Sequence, residues 1–258
     1  EVLLPLEATS ASEVPNAHQD TALPPLRILV ADDVPQNREL LDVMLRRDGH
    51  EVYCASNGLE AWAVFQERRI DIVLMDIQMP EVDGLQATKI IREWERLQQR
   101  SPVPIIALTA SVLPKDRKDA DLAGMDGFAS KPIDKHELYQ EIARCLQLDN
   151  TALVASANKP QASASPVIDF AAAEARWGDK TTLYKAIERF CSDFNRAPLT
   201  VAMPDIHAQA HRLKGAAANL GLMQVAQVLQ HIEQPDAAVT TPLAELLSTS
   251  LPQAMAQV

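Results

Sequence analysis

Cysteine is scarce in this chain: Cys54, Cys145 and Cys191 are the only three in 258 residues. An odd number at wide spacing argues against a disulfide framework and lacks the spacing of metal ligands. It points to reduced thiols in a cytoplasmic setting, packed as small core residues. Long apolar runs are missing too. Hydrophobic residues make up 47% of the sequence, yet no run reaches the length of a membrane span. There is no signal peptide, and Glu1 is no natural start, so the chain is expected to be an excised fragment. An excess of basic charge is also lacking. The formal net charge is −11, residues 26–148 hold 21 acids against 16 bases, and residues 167–258 hold 9 against 7. Without a basic stripe, direct DNA or RNA binding is not expected. No glycine-rich nucleotide loop occurs, and no internal repeat.

Composition shifts divide what is present. Residues 1–25 end in an Ala-, Ser-, Thr- and Pro-rich stretch, and residues 149–166 form a second stretch of that kind. Both read as linkers. Between them, apolar runs of strand length at 27–31, 51–55, 70–76, 103–109 and 127–130 alternate with amphipathic stretches at 35–48, 58–68, 84–98, 114–123 and 135–147. That is the pattern of a doubly wound, five-stranded parallel sheet with helices on both faces. After Pro166 only the helical period survives: Phe170 to Trp177, Thr181 to Phe194, Pro204 to Leu220, Leu222 to Glu233 and Pro242 to Met255. This reads as a small antiparallel all-α bundle. The linker at 149–166 leaves open whether the two domains touch.

The strand runs end in chemistry. Asp32-Asp33 follows the first, Asp76 ends the third, Thr109 ends the fourth and Lys131 follows the fifth. Strand C-termini are where open α/β sheets place ligands. Mg²⁺ prefers a few carboxylates plus waters and phosphate oxygens. Asp32, Asp33, Asp76 and the backbone carbonyl of Gln78 suit that partial coordination. One carboxylate would attack phosphorus, and a cation would let it approach an anionic donor. Lys131 would neutralise one phosphoryl oxygen and Thr109 would hydrogen-bond another. Each piece has a plainer reading: Asp32-Asp33 as a helix cap, Thr109 as a strand end and Lys131-Pro132 as a turn, while Asp83-Gly84 is a turn signal and is kept as one. Their joint placement favours the phosphoryl site.

Residues 26–148 resemble the receiver domain of bacterial response regulators. The resemblance rests on the acid pair, on Leu74-Met75-Asp76-Ile77-Gln78-Met79-Pro80 with Asp83-Gly84, on Ala107-Leu108-Thr109-Ala110 and on Lys131-Pro132. It implies that Asp76 is the phosphoryl acceptor, that Thr109 and Phe128 act as a switch pair, and that the Lys131-Pro132 bond is cis.

A second centre lies in Ala210-His211-Arg212-Leu213-Lys214-Gly215. On a helical wheel, Ile206, Ala210, Leu213, Ala217 and Leu220 fall within about 40° of one line, the core stripe. His211 lies about 140° from Ile206, Lys214 about 80° and Gly215 about 180°. The histidine should face solvent or a partner. A glycine inside a helix costs about 1 kcal/mol relative to alanine, which suggests a close approach at that face. A neutral imidazole is a competent nucleophile toward an acyl phosphate, and Lys214 would stabilise the resulting charge. His207, at about 100° on the wheel, is the rival, and it has no Lys-Gly at the right spacing.

Residues 167–258 are similar to the histidine phosphotransfer domain, with its His-x-x-Lys-Gly signature. Glu1 to Leu6 resembles the closing strand of a histidine kinase ATP-binding domain. Together these resemblances imply the receiver and phosphotransfer portion of a bacterial hybrid sensor kinase. A kinase Asn box is missing, so the catalytic core is expected outside these residues. The expected flow runs from a histidine kinase core to Asp76, then to His211, then to a downstream response regulator. Two alternatives stay open: a phosphate sink running backward, and a scaffold that modulates another sensor kinase. A haloacid-type phosphatase would want an aspartate where Gln78 stands.

Overall fold

Residues 23–110, 114–148, 168–196, 199 and 206–233 are described by the structure, a computed structural model. Five strands form where the apolar runs fall: β1 (Arg27–Ala31), β2 (Glu51–Ala55), β3 (Ile72–Asp76), β4 (Ile105–Thr109) and β5 (Gly127–Ser130). Helices α1 (Pro35–Arg47), α2 (Gly58–Glu67), α3 (Gly84–Leu97), α4 (Pro114–Ala123) and α5 (Lys135–Cys145) alternate with them. Every strand pair is parallel. The order is β2-β1-β3-β4-β5, the doubly wound sheet expected from the alternation. Its winding reverses between β1 and β3, which opens a crevice at the C-terminal ends of those two strands.

All of β3 and β4, and all of β1 beyond Arg27, is buried, as helices on both faces require. The pleat sorts the side chains. Ile28, Val30, Ile72, Leu74, Ile106 and Leu108 face one cluster with α1 and α5. Leu29, Ala31, Val73, Met75, Ile105 and Ala107 face the other, with α2 and α3. Each fully buried Ile or Leu contributes about 1.5–3 kcal/mol. Two starts fall later than the sequence pattern suggests. Ile70 and Asp71 precede β3, where Asp71 instead accepts from the backbone and guanidinium of Arg27. Val103 and Pro104 precede β4, and Val103 N–H donates to Glu95.

Short polar side chains set where helices begin. Asn57, Asp83, Asp134 and Asp169 accept the N–H three residues on, at the starts of α2, α3, α5 and α6 (Phe170–Trp177). The Asp83-Gly84 pair, expected as a turn, is therefore a helix start. A Cβ on Gly84 would lie 2.0 Å from the Asp76 carbonyl oxygen. Only glycine lets α3 begin so close to the end of β3.

The bundle continues with α7 (Lys180–Arg196), α8 (Ile206–Asn219) and α9 (Met223–Ile232). Trp177 is its anchor, fully buried with Nε1–H donating to the Asn219 carbonyl at 3.1 Å. Residues 1–22, the expected linker at 149–166 and the expected helix Pro242 to Met255 lie outside the described residues. The two folded parts touch. The cluster under α1 and α5 runs on without a break into Trp177, Leu183, Ile187, Leu220 and Leu229 of the bundle. Helix α1 thus packs against the sheet on one side and against α6 and α8 on the other. All three cysteines are free thiols; Cys145 and Cys191 are half-buried and pack against the core, whereas Cys54 is exposed, so the expectation of core cysteines fails for Cys54. Among the described residues, no helix is long and apolar enough to cross a membrane.

Candidate phosphoryl-transfer site

Three carboxylates meet at the crevice between β1 and β3. Asp32, Asp33 and Asp76 each offer an oxygen, and these oxygens lie within 4.8 Å of one another. Asp32, fully buried, is the best satisfied: Val34 N–H donates to its Oδ1 at 2.9 Å, and Asn37 Nδ2 donates to both oxygens at 3.1 Å. No side chain caps α1, whose first turn starts at Pro35. The acid pair is thus free for the crevice. Lys131, just beyond β5, bridges Asp32 Oδ2 and Asp76 Oδ2, each at 2.7 Å. Burial opposes the Lys131 ammonium, but the two carboxylates outweigh it and hold its pKa above the ordinary lysine value. Asp76 also accepts from Gln78 N–H at 3.2 Å. Burial dominates over Lys131 and raises the Asp76 carboxyl to about 7.

Asp33 is different. Both its carboxylate oxygens are buried without a hydrogen-bond partner. Burial raises its pKa, against the pull of Arg212 and Lys131. A buried carboxylate without donors is costly unless a cation meets it. Three carboxylate oxygens converging in one buried crevice, with Asp33 lacking any hydrogen-bond donor, suit a divalent ion, which takes carboxylate oxygens without supplying protons.

Thr109 ends β4 beside Ser130 in register, and Lys131 N–H donates to its carbonyl at 2.8 Å. The Lys131-Pro132 bond is cis. Phe128 stands one layer away from the acids, in register with Ala107 and beneath the Arg117 guanidinium, 5.0 Å from the ring centre. Asp32, Asp33, Asp76 and Lys131 therefore converge, Thr109 sits at the adjacent strand end, and Phe128 lies on the flank.

The second centre is a triad on α8 and α9. Glu233, which ends α9, pairs through Oε1 with His211 Nδ1 and through Oε2 with Lys214 Nζ, the latter at 2.5 Å. Burial opposes the ionised carboxyl, but the Lys214 and His211 donors prevail and lower the Glu233 pKa. With Nδ1–H donating to Glu233, the imidazole lone pair resides on Nε2. His207 is engaged elsewhere: its Nδ1–H donates to the Ile232 carbonyl at 2.7 Å. Nothing in the sequence pattern singles out Glu233, because its two partners reach it from the preceding helix.

The second centre faces the receiver across a cavity beside the strand end that carries Asp76. A space of ≈ 760 Å³ is lined by Ile77 and Gln78 on the receiver side and by His207, His211, Arg212 and Glu233 on the bundle side. Arg212, one residue from the histidine, forms an ion pair with Asp33 through Nε. A Cβ on Gly215 would lie 3.0 Å from Lys131 Cδ. The close approach that a mid-helix glycine suggests is made by the receiver's own lysine.

Comparison with known proteins agrees with this division. The response regulator receiver domain family matches residues 28–143, and the Hpt domain family matches residues 182–258. Sensor protein GacS of Pseudomonas syringae pv. syringae is 32% identical over 246 residues, covering 88% of this chain and 27% of the relative. The sensor histidine kinase GacS of Pseudomonas protegens is 37% identical over 118 residues, covering 46% and 13%. A solved receiver domain of sensor histidine kinase PA1611 from Pseudomonas aeruginosa, with magnesium coordinated in its active-site cleft, is 35% identical; it covers 48% of this chain and 99% of that chain, at a TM-score of 0.43. The chain thus spans about a quarter or less of the curated relatives just described. It belongs to the two-component signalling proteins, as a receiver domain followed by a histidine phosphotransfer domain: a phosphorelay module.

Proposed function

We propose that Asp76 and His211 are the two phosphoryl carriers of this module, and that the receiver spans 26–148 and the phosphotransfer domain 167–258, joined by 149–166. A phosphohistidine on an upstream kinase core donates to Asp76: the P–N bond breaks as the Asp76 oxygen forms a P–O bond. His211 Nε2 then attacks the acyl phosphate, releasing the Asp76 carboxylate, and a separate response regulator receives the group. Mg²⁺ held by Asp32, Asp33, Asp76 and the Gln78 carbonyl would neutralise the charge that gathers on the phosphoryl oxygens. Lys131 supplies a second fixed charge there, and Thr109 a hydroxyl. Phe128 follows Thr109 in the switch that phosphorylation throws. Lys214 steadies the phosphohistidine.

The observation that carries this reading is the packing of the histidine helix against the acid crevice, with Arg212 on Asp33 and Gly215 on Lys131. Arg212, next to His211, pairs with Asp33, and the imidazole oriented by Glu233 opens onto a cavity lined by Ile77 and Gln78, the two residues after Asp76. The parent molecule is then a hybrid sensor kinase whose receiver and phosphotransfer domains lie in the cytoplasm.

Incubating the chain with a phosphorylated kinase core and following label by residue tests this. D76N should lose all acceptance, since it removes the nucleophilic oxygen and keeps the shape. H211Q should accept on Asp76 and pass nothing on. Label reaching His211 at the parental rate in D76N would overturn the order of transfer.

A further inference from the structure

Arg212 contacts Asp33, one of the three carboxylates that would hold a divalent ion. Its side chain is 37% exposed, yet Nε is buried against Asp33, whose own side chain is 3% exposed. The contact lacks hydrogen-bond alignment: Nε and both Asp33 oxygens remain without a hydrogen bond. It is a charge contact, and among the described residues Arg212 and Lys131 are the positive charges that act on Asp33. The bookkeeping of the crevice is informative. Lys131 occupies one oxygen each of Asp32 and Asp76, and Arg212 occupies Asp33. Each of the three carboxylates that would hold a divalent ion therefore already faces a protein cation. Lys131 belongs to the receiver itself, whereas Arg212 arrives only when α8 lies against it.

We propose that Arg212 and the divalent cation compete for Asp33, so that cation loading of the receiver and docking of α8 on it oppose each other. This rests on the metal reading of Asp32, Asp33 and Asp76. A guanidinium and a dication sharing one small carboxylate repel each other, and the low-dielectric crevice strengthens that repulsion. With α8 docked, Arg212 lowers the cation affinity of the crevice. With the cation bound, Asp33 turns its charge to the metal and α8 loses its charged foothold. Linkage makes the two effects equal in size. The contacts that remain, Asn219 to Asn37 and Arg189 to Glu39, keep the bundle tethered while the charged contact is released. The device would keep the acceptor closed to the kinase core until the cation arrives.

The test uses Mn²⁺ as the probe, with free ion read by electron paramagnetic resonance, on the full chain and on R212Q, R212K and D33N. R212Q should bind Mn²⁺ on the order of tenfold more tightly than the parent, the usual scale of coupling between sites. R212K should lie between them, because it keeps the charge on a shorter, more hydrated group. In the parent, the Arg212 Nε–H resonance should move toward its exposed position as Mg²⁺ is added. Equal or weaker Mn²⁺ binding in R212Q, with a parental circular dichroism spectrum, overturns the competition. No Mn²⁺ binding by the parent and R212Q alike overturns the metal reading instead, and unaltered binding by D33N removes Asp33 from both.

Discussion

Asn219, the last residue of α8, donates its side-chain amide to Asn37 Oδ1 at 2.9 Å. Both side chains are buried, and each is engaged twice. Asn37 Nδ2 holds the Asp32 carboxylate, while Asn219 Oδ1 accepts Ile133 N–H at 2.7 Å. A continuous polar thread thus runs from the acid crevice, through the bundle's histidine helix, to the segment after Lys131. Buried polar threads of this kind are costly to leave half-made.

Asn219→Ala should therefore destabilise the chain. It orphans the Ile133 N–H and the Asn37 Oδ1, and a buried group without its partner costs about 1–3 kcal/mol. Urea denaturation followed by circular dichroism reads the effect as a lower midpoint. An unchanged midpoint would mean that water replaces the amide at no cost.

Glu233→Gln should slow phosphoryl transfer to His211 without stopping it. The amide keeps the shape but holds the imidazole less firmly and no longer matches Lys214 with a charge. Loss of orientation at a reacting centre costs about ten- to a hundredfold in rate. Rapid-quench transfer from a phosphorylated receiver measures it, and D76 labelling in the same variant should be unaffected. A parental transfer rate would reduce Glu233 to a structural ion pair.

Much of this was legible in the sequence, and the reason is local. Strand runs, helix periods and turn residues act over a few positions, so the ten elements of the receiver fall within a residue or two of their expected places. The acid, hydroxyl and lysine positions are legible because strand C-termini converge in any sheet wound this way. Glu233, Arg212 and Asn219 were not legible. Their partners are His211 and Lys214 one helix back, Asp33 across the domain boundary, and Asn37 182 positions away. No periodicity encodes such contacts. The packing of the two domains was hidden for the same reason: the apolar face of α1 that meets the bundle looks like any other stretch of core.

Gly215 separates helix propensity from domain contact. Gly215→Ala should gain up to about 1 kcal/mol of helix propensity, offset in part because its Cβ meets Lys131 Cδ, which is held between two carboxylates, at 3.0 Å. Gly215→Leu should push α8 off Lys131. Amide hydrogen exchange in α1 and after Lys131 would report the separation, with faster exchange in the leucine variant alone. Equal protection in both variants would show that Gly215 is not needed for the approach.

His207 and His211 share one helix and one cavity, so distinguishing them is the sharpest test of the second centre. His207 spends its Nδ1–H on the Ile232 carbonyl, where it ties α8 to the end of α9. His207→Gln should cost no more than about 1.5 kcal/mol, the net worth of one hydrogen bond, and should transfer nearly as well as the parent. His211→Gln should keep the fold, because its side chain faces Glu233 and the cavity rather than the apolar stripe through Ala210, Ala217 and Leu220. It should leave Asp76 phosphorylated and carry no acid-labile, base-stable label. Lys214→Ala should slow transfer without abolishing it, since a cation beside the phosphoryl group lowers its charge but performs no attack. Acid-labile label that persists in the His211 variant and vanishes in the His207 variant would move the nucleophile to His207.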